Sequence, residues 1–249
     1  MGSLILAVRF LTLVPVPGQE ATGADALGRA AWWFPVVGLL LGAGLVLIDG
    51  GLAFLLPPLL TSALVVSAWK VASGGIHLDG LADCLDGLAG ASREQRLAIM
   101  RDSRIGVFGA AGIVMAFVGG LAALADLPAG LHARVLLLAP AIGRLCPVLV
   151  GPWFPAATPE RGWGAAFLRA TPRTAGPAQV VLAIALAVCL LGPWGALVVA
   201  GSAAVAAAWA RLVADRFGGL TGDALGSTVE LAEVAALVIA VALAHRGAI

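Results

Sequence analysis

The sequence is short of charge. Of its 249 residues only 12% are charged, 15 Lys or Arg and 14 Asp or Glu, while 61% are apolar and the mean hydropathy is +1.02. A soluble domain carries about 25% charged and about 45–50% apolar residues. The chain therefore has roughly half the charge needed to cover a water-facing surface, which argues against a soluble globular domain. A net charge of +1 supplies no field for a polyanion, so nucleic acid is not an expected partner. Cysteine is scarce as well. Cys84, Cys146 and Cys189 are far apart with no C-x-x-C spacing, which suggests neither a disulfide framework nor a zinc knuckle and leaves them as small apolar residues. A cleaved signal peptide is not expected either. The apolar run Leu4–Val8 is too short for one, is followed by Arg9, and leads into Pro15-Val16-Pro17-Gly18 instead of a small-residue cleavage site.

What is present is a series of apolar runs. A bilayer core asks for about 20 mostly apolar residues per helix, and such runs lie near Trp32–Ile48, Leu52–Ser73, Ile105–Ala125, Val135–Phe154, Ala178–Leu191, Ala196–Val213 and Val229–Ala244. The fold class is thus all-α, a polytopic integral membrane bundle of about seven transmembrane helices, with Leu4–Val14 as a further re-entrant or interfacial segment. Residues 1–249 are read as one membrane-embedded catalytic domain. Small residues are dense in these runs, as at Gly112, Gly119, Gly120 and Gly201–Ala208, where they let helix backbones approach closely and make a homo-oligomer an open expectation. If the spans alternate, Arg9, Arg29, Arg93, Arg96, Arg101, Arg104, Arg161, Arg169, Arg173, Arg211 and Arg216 fall on or near one side, and Arg134 and Arg246 on the other. The arginine-rich side is expected to be cytoplasmic. The predicted location is the cell inner membrane, multi-pass, with the active site facing the cytoplasm. Lys70 and Arg144 sit within or near the ends of spans, where a bare charge costs several kcal/mol. Each either faces the protein interior or snorkels to an interface.

The acids are unevenly distributed. Asp79, Asp83 and Asp86 lie in one short segment, Asp102 follows, and Asp223, Glu230 and Glu233 lie near the end of the chain; these are half of all acids. On a helix, positions 79, 83 and 86 are offset by about 0°, 40° and −20°, so the three carboxylates share a narrow face. Like charges on one stripe repel, and a hard divalent cation with oxygen ligands removes the penalty. Metal binding by Asp79, Asp83 and Asp86 is the economical reading, against a polar loop that merely contains aspartates. Asp223, Glu230 and Glu233 repeat the pattern and add ligands or supporting partners, or form a solvated helix start favoured by the macrodipole. His77 is open to two roles, base or structural hydrogen-bonding residue.

Between the stripe and the next span, Ser92–Arg101 opens with an S-x-x-Q capping pattern and is amphipathic, which predicts a short interfacial helix. Its Arg93 and Arg96 suit lipid headgroups or solvent better than substrate. Arg101 and Arg104 bracket Asp102 and Ser103 beside Gly106 and Gly109, a placement suited to a diphosphate. A second glycine-rich break, Phe217–Gly226, offers backbone N–H groups, with Thr221 and Gly222, to an anion near a helix start. Carboxylates, magnesium and arginines at one mouth suit phosphoryl or phosphodiester transfer, with a metal-free carboxylate as general base. A transporter with intramembrane acids is the alternative of a different class, although the acids crowd one side and no inverted repeat is evident.

Two segments carry a family resemblance: Gly75-Ile76-His77-Leu78-Asp79-Gly80-Leu81-Ala82-Asp83-Cys84-Leu85-Asp86-Gly87-Leu88, and Ile99-Met100-Arg101-Asp102-Ser103-Arg104-Ile105-Gly106-Val107-Phe108-Gly109. Together they resemble the signature of the cobalamin synthase family, the adenosylcobinamide-GDP ribazoletransferases. Phe10-Leu11-Thr12 with Pro15-Val16-Pro17, Trp33-Phe34-Pro35-Val36-Val37-Gly38, and Gly219-Leu220-Thr221-Gly222-Asp223 with Glu230 and Glu233 resemble that family's other blocks in the same order. The sequence departs from the pattern at Cys84-Leu85, where a small polar residue and alanine are expected, and at Arg101, where lysine is more usual; neither change touches an acid. The resemblance implies attack by a ribose hydroxyl of α-ribazole, or of its 5′-phosphate, on adenosylcobinamide-GDP, with release of GMP. The implied metal is Mg²⁺. It also implies Asp79, Asp83 and Asp86 as ligands, Asp102, Asp223, Glu230 and Glu233 as further ligands or bases, and Arg101 and Arg104 as phosphate contacts. A CDP-alcohol phosphotransferase of lipid synthesis is the alternative within the reaction class. Asp83-Cys84-Leu85-Asp86-Gly87 fits its D-x-x-D-G opening, but the continuation does not match.

Overall fold

The computed structural model describes residues 1–23, 26–158 and 162–249. Among these the chain forms α1 (Gly2–Leu11), α2 (Ala26–Ala31), α3 (Phe34–Ala53), α4 (Pro58–Ala72), α5 (Ile76–Leu88), α6 (Arg93–Ile99), α7 (Val107–Asp126), α8 (Ala129–Val150), α9 (Gly162–Ala170), α10 (Ala175–Leu191), α11 (Gly195–Phe217) and α12 (Gly222–His245). Extended pairing among the described residues is limited to one bridge, Ala156 with Leu220. Arg161, one of the arginines used above to orient the chain, lies outside the described residues.

Helices α3, α7, α8 with the 3-10 turn that follows it, α11 and α12 are each long and apolar enough to cross a bilayer. The pairs α4–α5 and α9–α10 are bent by 86° and 85°, and the number of spans reaches seven if each pair counts as one. The expected all-α membrane bundle is therefore present, with two spans broken. The segment expected over Leu52–Ser73 begins only at Pro58, and its continuation turns sharply into α5. The turn has a local cause. Gly74 and Gly75 both adopt left-handed φ, +66° and +68°, while the Gly75 N–H donates to Lys70 O and the Gly74 N–H to Val71 O. This closes α4 with a Schellman motif that a residue bearing a Cβ would strain. Helix α5 starts at the next residue, so the acid-bearing segment leaves α4 at nearly a right angle.

Helix α8 is the most enclosed span and carries Pro140 and Pro147 in its interior. Pro140 has no N–H to give to the carbonyl of Leu136. The backbone of α3 fills that side: a Cβ built on Gly42 would stand 2.6 Å from Leu136 O, and one on Gly38 would meet Ala141 and Pro140 O at 2.5 Å. Gly38 and Gly42 thus serve close packing of helices inside the bundle. Helix α12 lies against α5, α7, α8 and α11 and forms the axis of the structure. It begins at Gly222, seven residues before the expected span at Val229, which places Asp223 in its first turn.

The α3–α8 contact generates a test. Gly42→Leu should destabilise the protein by about 1–3 kcal/mol through overpacking, read as a lowered melting temperature in detergent. Gly44→Leu, at a position facing open space, should leave the melting temperature unchanged.

Candidate active site

The acid helix and the start of α12 meet through glycine. A Cβ on Gly80 would lie 2.6 Å from the carbonyl oxygen of Asp223, so only glycine lets α5 and α12 approach this closely. The approach brings Asp83 into the electrostatic reach of Asp79, Asp86 and Asp223, and Asp223 into that of Asp79. Asp79 is exposed, whereas Asp83, Asp86 and Asp223 are half-buried.

Asp86 has a second engagement. Its carboxylate accepts N–H bonds from Gly106 (2.7 Å) and Gly109 (2.8 Å), which satisfies two of the unpaired donors at the start of α7. A side chain at either glycine would collide with that carboxylate. Asp86 is thus an N-terminal cap supplied from a neighbouring helix, and Asp79, Asp83 and Asp223 remain as the open acids of the mouth.

Glu230 and Glu233 lie elsewhere than the ligand expectation placed them. Lys70 Nζ is 2.6 Å from Glu230 Oε1 and 3.0 Å from Glu233 Oε2, Arg144 pairs with Glu233, and Arg144 Nη2 donates to Ser73 Oγ at 2.7 Å. Glu230, Glu233 and Arg144 are buried, so two cations and two anions neutralise one another inside the bundle. The correction has a simple physical reason. Buried cations at Lys70 and Arg144 require counter-charges, and the nearest acids on α12 provide them. His77 is buried close behind this network, in the first turn of α5.

The loop before α7 also pairs internally. Asp102 and Arg104 form a bidentate pair (Arg104 Nη2 to Asp102 Oδ2 2.6 Å, Nε to Oδ1 3.0 Å) in an exposed setting, and these bonds hold the Asp102 carboxyl down at about 2. Asp102 therefore answers Arg104, not the acids of the mouth. Ser103 is exposed beside them. The predicted interfacial helix is α6. Ser92 caps it by accepting from Gln95 N, and Gln95 Oε1 accepts from Ala91 N. Its arginines are structural tethers. Arg93 donates to Phe217 O and Ala157 O, and Arg96 to Arg216 O, so both bond carbonyls at or near the C-terminal end of α11.

Two cavities adjoin the acid mouth. The larger, about 720 Å³, is lined by Arg101, Thr158, Thr221, Gly222 and Asp223 among others. Thr221 also caps α12 by accepting from Ala224 N. The smaller, about 280 Å³, is bounded by Phe10, Phe34, Phe167, Trp163, His77 and Asp223 among others. Asp223, Gly222, Trp163 and Gly164 belong to both. The aromatic wall was not among the site residues read from the sequence, although Phe10 and Phe34 lie in the blocks that carried the resemblance. Phe167 stands outside those blocks, and only the packing of α9 on α2 and α12 brings it there.

Fold and site together define a polytopic helical membrane protein with an acid-lined mouth beside a polar cavity. The family model described as cobalamin-5-phosphate synthase matches residues 3–241, and the chain belongs to that family. Similar relatives carry the name adenosylcobinamide-GDP ribazoletransferase, three of them as follows. The one from Roseiflexus sp. (strain RS-1) is 39% identical over 242 residues, covering 93% of this chain and 86% of the relative. That from Chlorobium phaeobacteroides (strain BS1) is 38% identical over 260 residues, covering 98% and 99%. That from Acetivibrio thermocellus is 31% identical over 237 residues, covering 95% and 96%. No solved structure matches the chain.

The buried charge network predicts an asymmetric response. Glu233→Ala leaves Arg144 without its counter-ion and should destabilise the protein by about 3–5 kcal/mol, measured as loss of thermal stability in detergent. Combining it with Arg144→Met should recover part of that loss.

Proposed function

We propose that this chain is an adenosylcobinamide-GDP ribazoletransferase, the cobalamin synthase activity carried in the names of its relatives. It joins adenosylcobinamide-GDP to α-ribazole, or to its 5′-phosphate, and releases GMP. The observation that carries the mechanism is that Asp223 borders both cavities, with Asp79 and Asp83 beside it. A ribose hydroxyl oxygen bonds to the phosphorus on the cobinamide side as the bond to the GMP oxygen breaks. The Asp223 carboxylate accepts the hydroxyl proton, as a general base must from within hydrogen-bond reach. Arg101, exposed at the edge of the larger cavity, meets the diphosphate through charge-assisted bonds. Family membership favours this reading over the CDP-alcohol phosphotransferase and transporter alternatives.

Mg²⁺ belongs to the proposal. Among the described residues no group of three or more His, Cys, Asp or Glu side chains is placed to hold a metal ion. Mg²⁺ is commonly held by one or two carboxylates, with waters and substrate phosphates completing its shell, and the hard oxygens of Asp79 and Asp83 match that donor chemistry. When bound there, the ion would neutralise charge on the diphosphate and on departing GMP. The proposed orientation, with the mouth towards the cytoplasm of the inner membrane, is supported by Arg93, Arg96, Arg101 and Arg104 at the acid end, set against Arg134 near the start of α8.

GMP release from purified protein should require both substrates, stop on chelation and return with added magnesium. Asp223→Asn should lower kcat by about 10²-fold or more, and Asp83→Asn should raise the magnesium concentration giving half-maximal rate. Retention of full activity by both variants would remove the acids from the mechanism. For orientation, a Ser103→Cys variant in a Cys189→Ser background should react with a membrane-impermeant maleimide in inside-out vesicles and not in right-side-out ones.

A further inference from the structure

The aromatic cavity has a composition the transfer chemistry alone does not require. Phe34 and Phe167 stack with centroids 5.5 Å apart at 16°, Phe10 and Phe34 lie 6.0 Å apart at 20°, and Trp163 tilts onto Phe10 at 6.3 Å. These rings come from α1, α3 and α9, three separate parts of the chain. We propose that this cavity binds the flat, apolar base of the acceptor nucleoside and aims its ribose at Asp223; the inference rests on the transferase reading given above.

Three observations support it. First, Phe34 and Phe167 are buried as the back of the wall while Phe10 and Trp163 keep exposed surface toward the cavity for an aromatic ligand, and stacking is the main source of affinity for a base with few polar atoms. Second, His77, Asp223 and the Trp163 indole are the polar side chains in a lining otherwise made of apolar groups. The exocyclic donors and acceptors of guanine would be buried there with too few partners, a costly arrangement, whereas a benzimidazole base has no such groups. Third, a volume of about 280 Å³ admits a bicyclic base and excludes a corrinoid macrocycle. The neighbouring 720 Å³ cavity, with Arg101, Thr158 and Thr221, suits the phosphates and the nucleotide. Asp223, shared by the two, stands where the ribose hydroxyl would meet the phosphorus.

The test uses Phe10→Ala, which removes a ring, and Ile76→Trp, which fills the cavity from an exposed position. In the GMP-release assay both should raise KM for α-ribazole about tenfold and leave KM for adenosylcobinamide-GDP within about twofold. Equal rises for both substrates, or a rise for the corrinoid substrate alone, would overturn the assignment. Should wild-type protein release no GMP, the transferase reading fails by itself, and equilibrium dialysis of α-ribazole against wild type and Ile76→Trp decides the cavity. Binding weakened by the filling variant supports the base site; no binding, or unchanged binding, rejects it.

Discussion

Lys70, Arg144, Glu230 and Glu233 form a neutral set held away from water where α4, α8 and α12 meet. Each of these charges alone would cost several kcal/mol in a membrane interior, so the set persists only while all four are together. That condition fixes more than local geometry. Lys70 is two residues from the end of α4, and Ser73, which accepts from Arg144, immediately precedes the Gly74-Gly75 turn. The network therefore anchors the point at which the chain bends into the acid helix. It also fixes the rotation of α12, whose first turn carries Asp223 on the same face as Glu230, two turns before it.

From that anchor the mouth is assembled by close approach and by capping. Gly80 lets α5 press on the backbone of Asp223. Asp86 then holds α5 to the start of α7, and Arg93 and Arg96 tie α6 to the end of α11. Three polar side chains thus act as fasteners between helices, where an apolar bundle in lipid gains little from hydrophobic association. The carboxylates left open are those with no fastening role.

The helical membrane class was legible in the sequence because composition and run length report it directly. The acid stripe was legible because 79, 83 and 86 share a helix face whatever surrounds them. The division of labour among the acids was not legible. Glu230 and Glu233 look like ligands in one dimension, and their true partners are 89 to 163 residues away in the chain. Lys70 and Arg144 were recognised as charges that could face the interior, but sequence spacing cannot pair them with particular acids. Asp86 was indistinguishable from Asp79 and Asp83, since its distinction comes from α7 docking against its side chain. The breaks in two spans were hidden for a related reason: Gly74 and Gly75 sit inside a long hydrophobic stretch, and only their left-handed backbone marks the corner.

The two cavities share Trp163, Gly164, Gly222 and Asp223, and Gly164 packs so closely on Gly222 that a Cβ on Gly164 would stand 2.4 Å from the Gly222 nitrogen. On the proposed reading, the two reactants held in the two cavities meet across these glycines, which raises their effective concentration. The arrangement has an opposite effect once they are joined. A single product molecule then straddles the glycines, gripped on both sides, and must let go of both grips to depart.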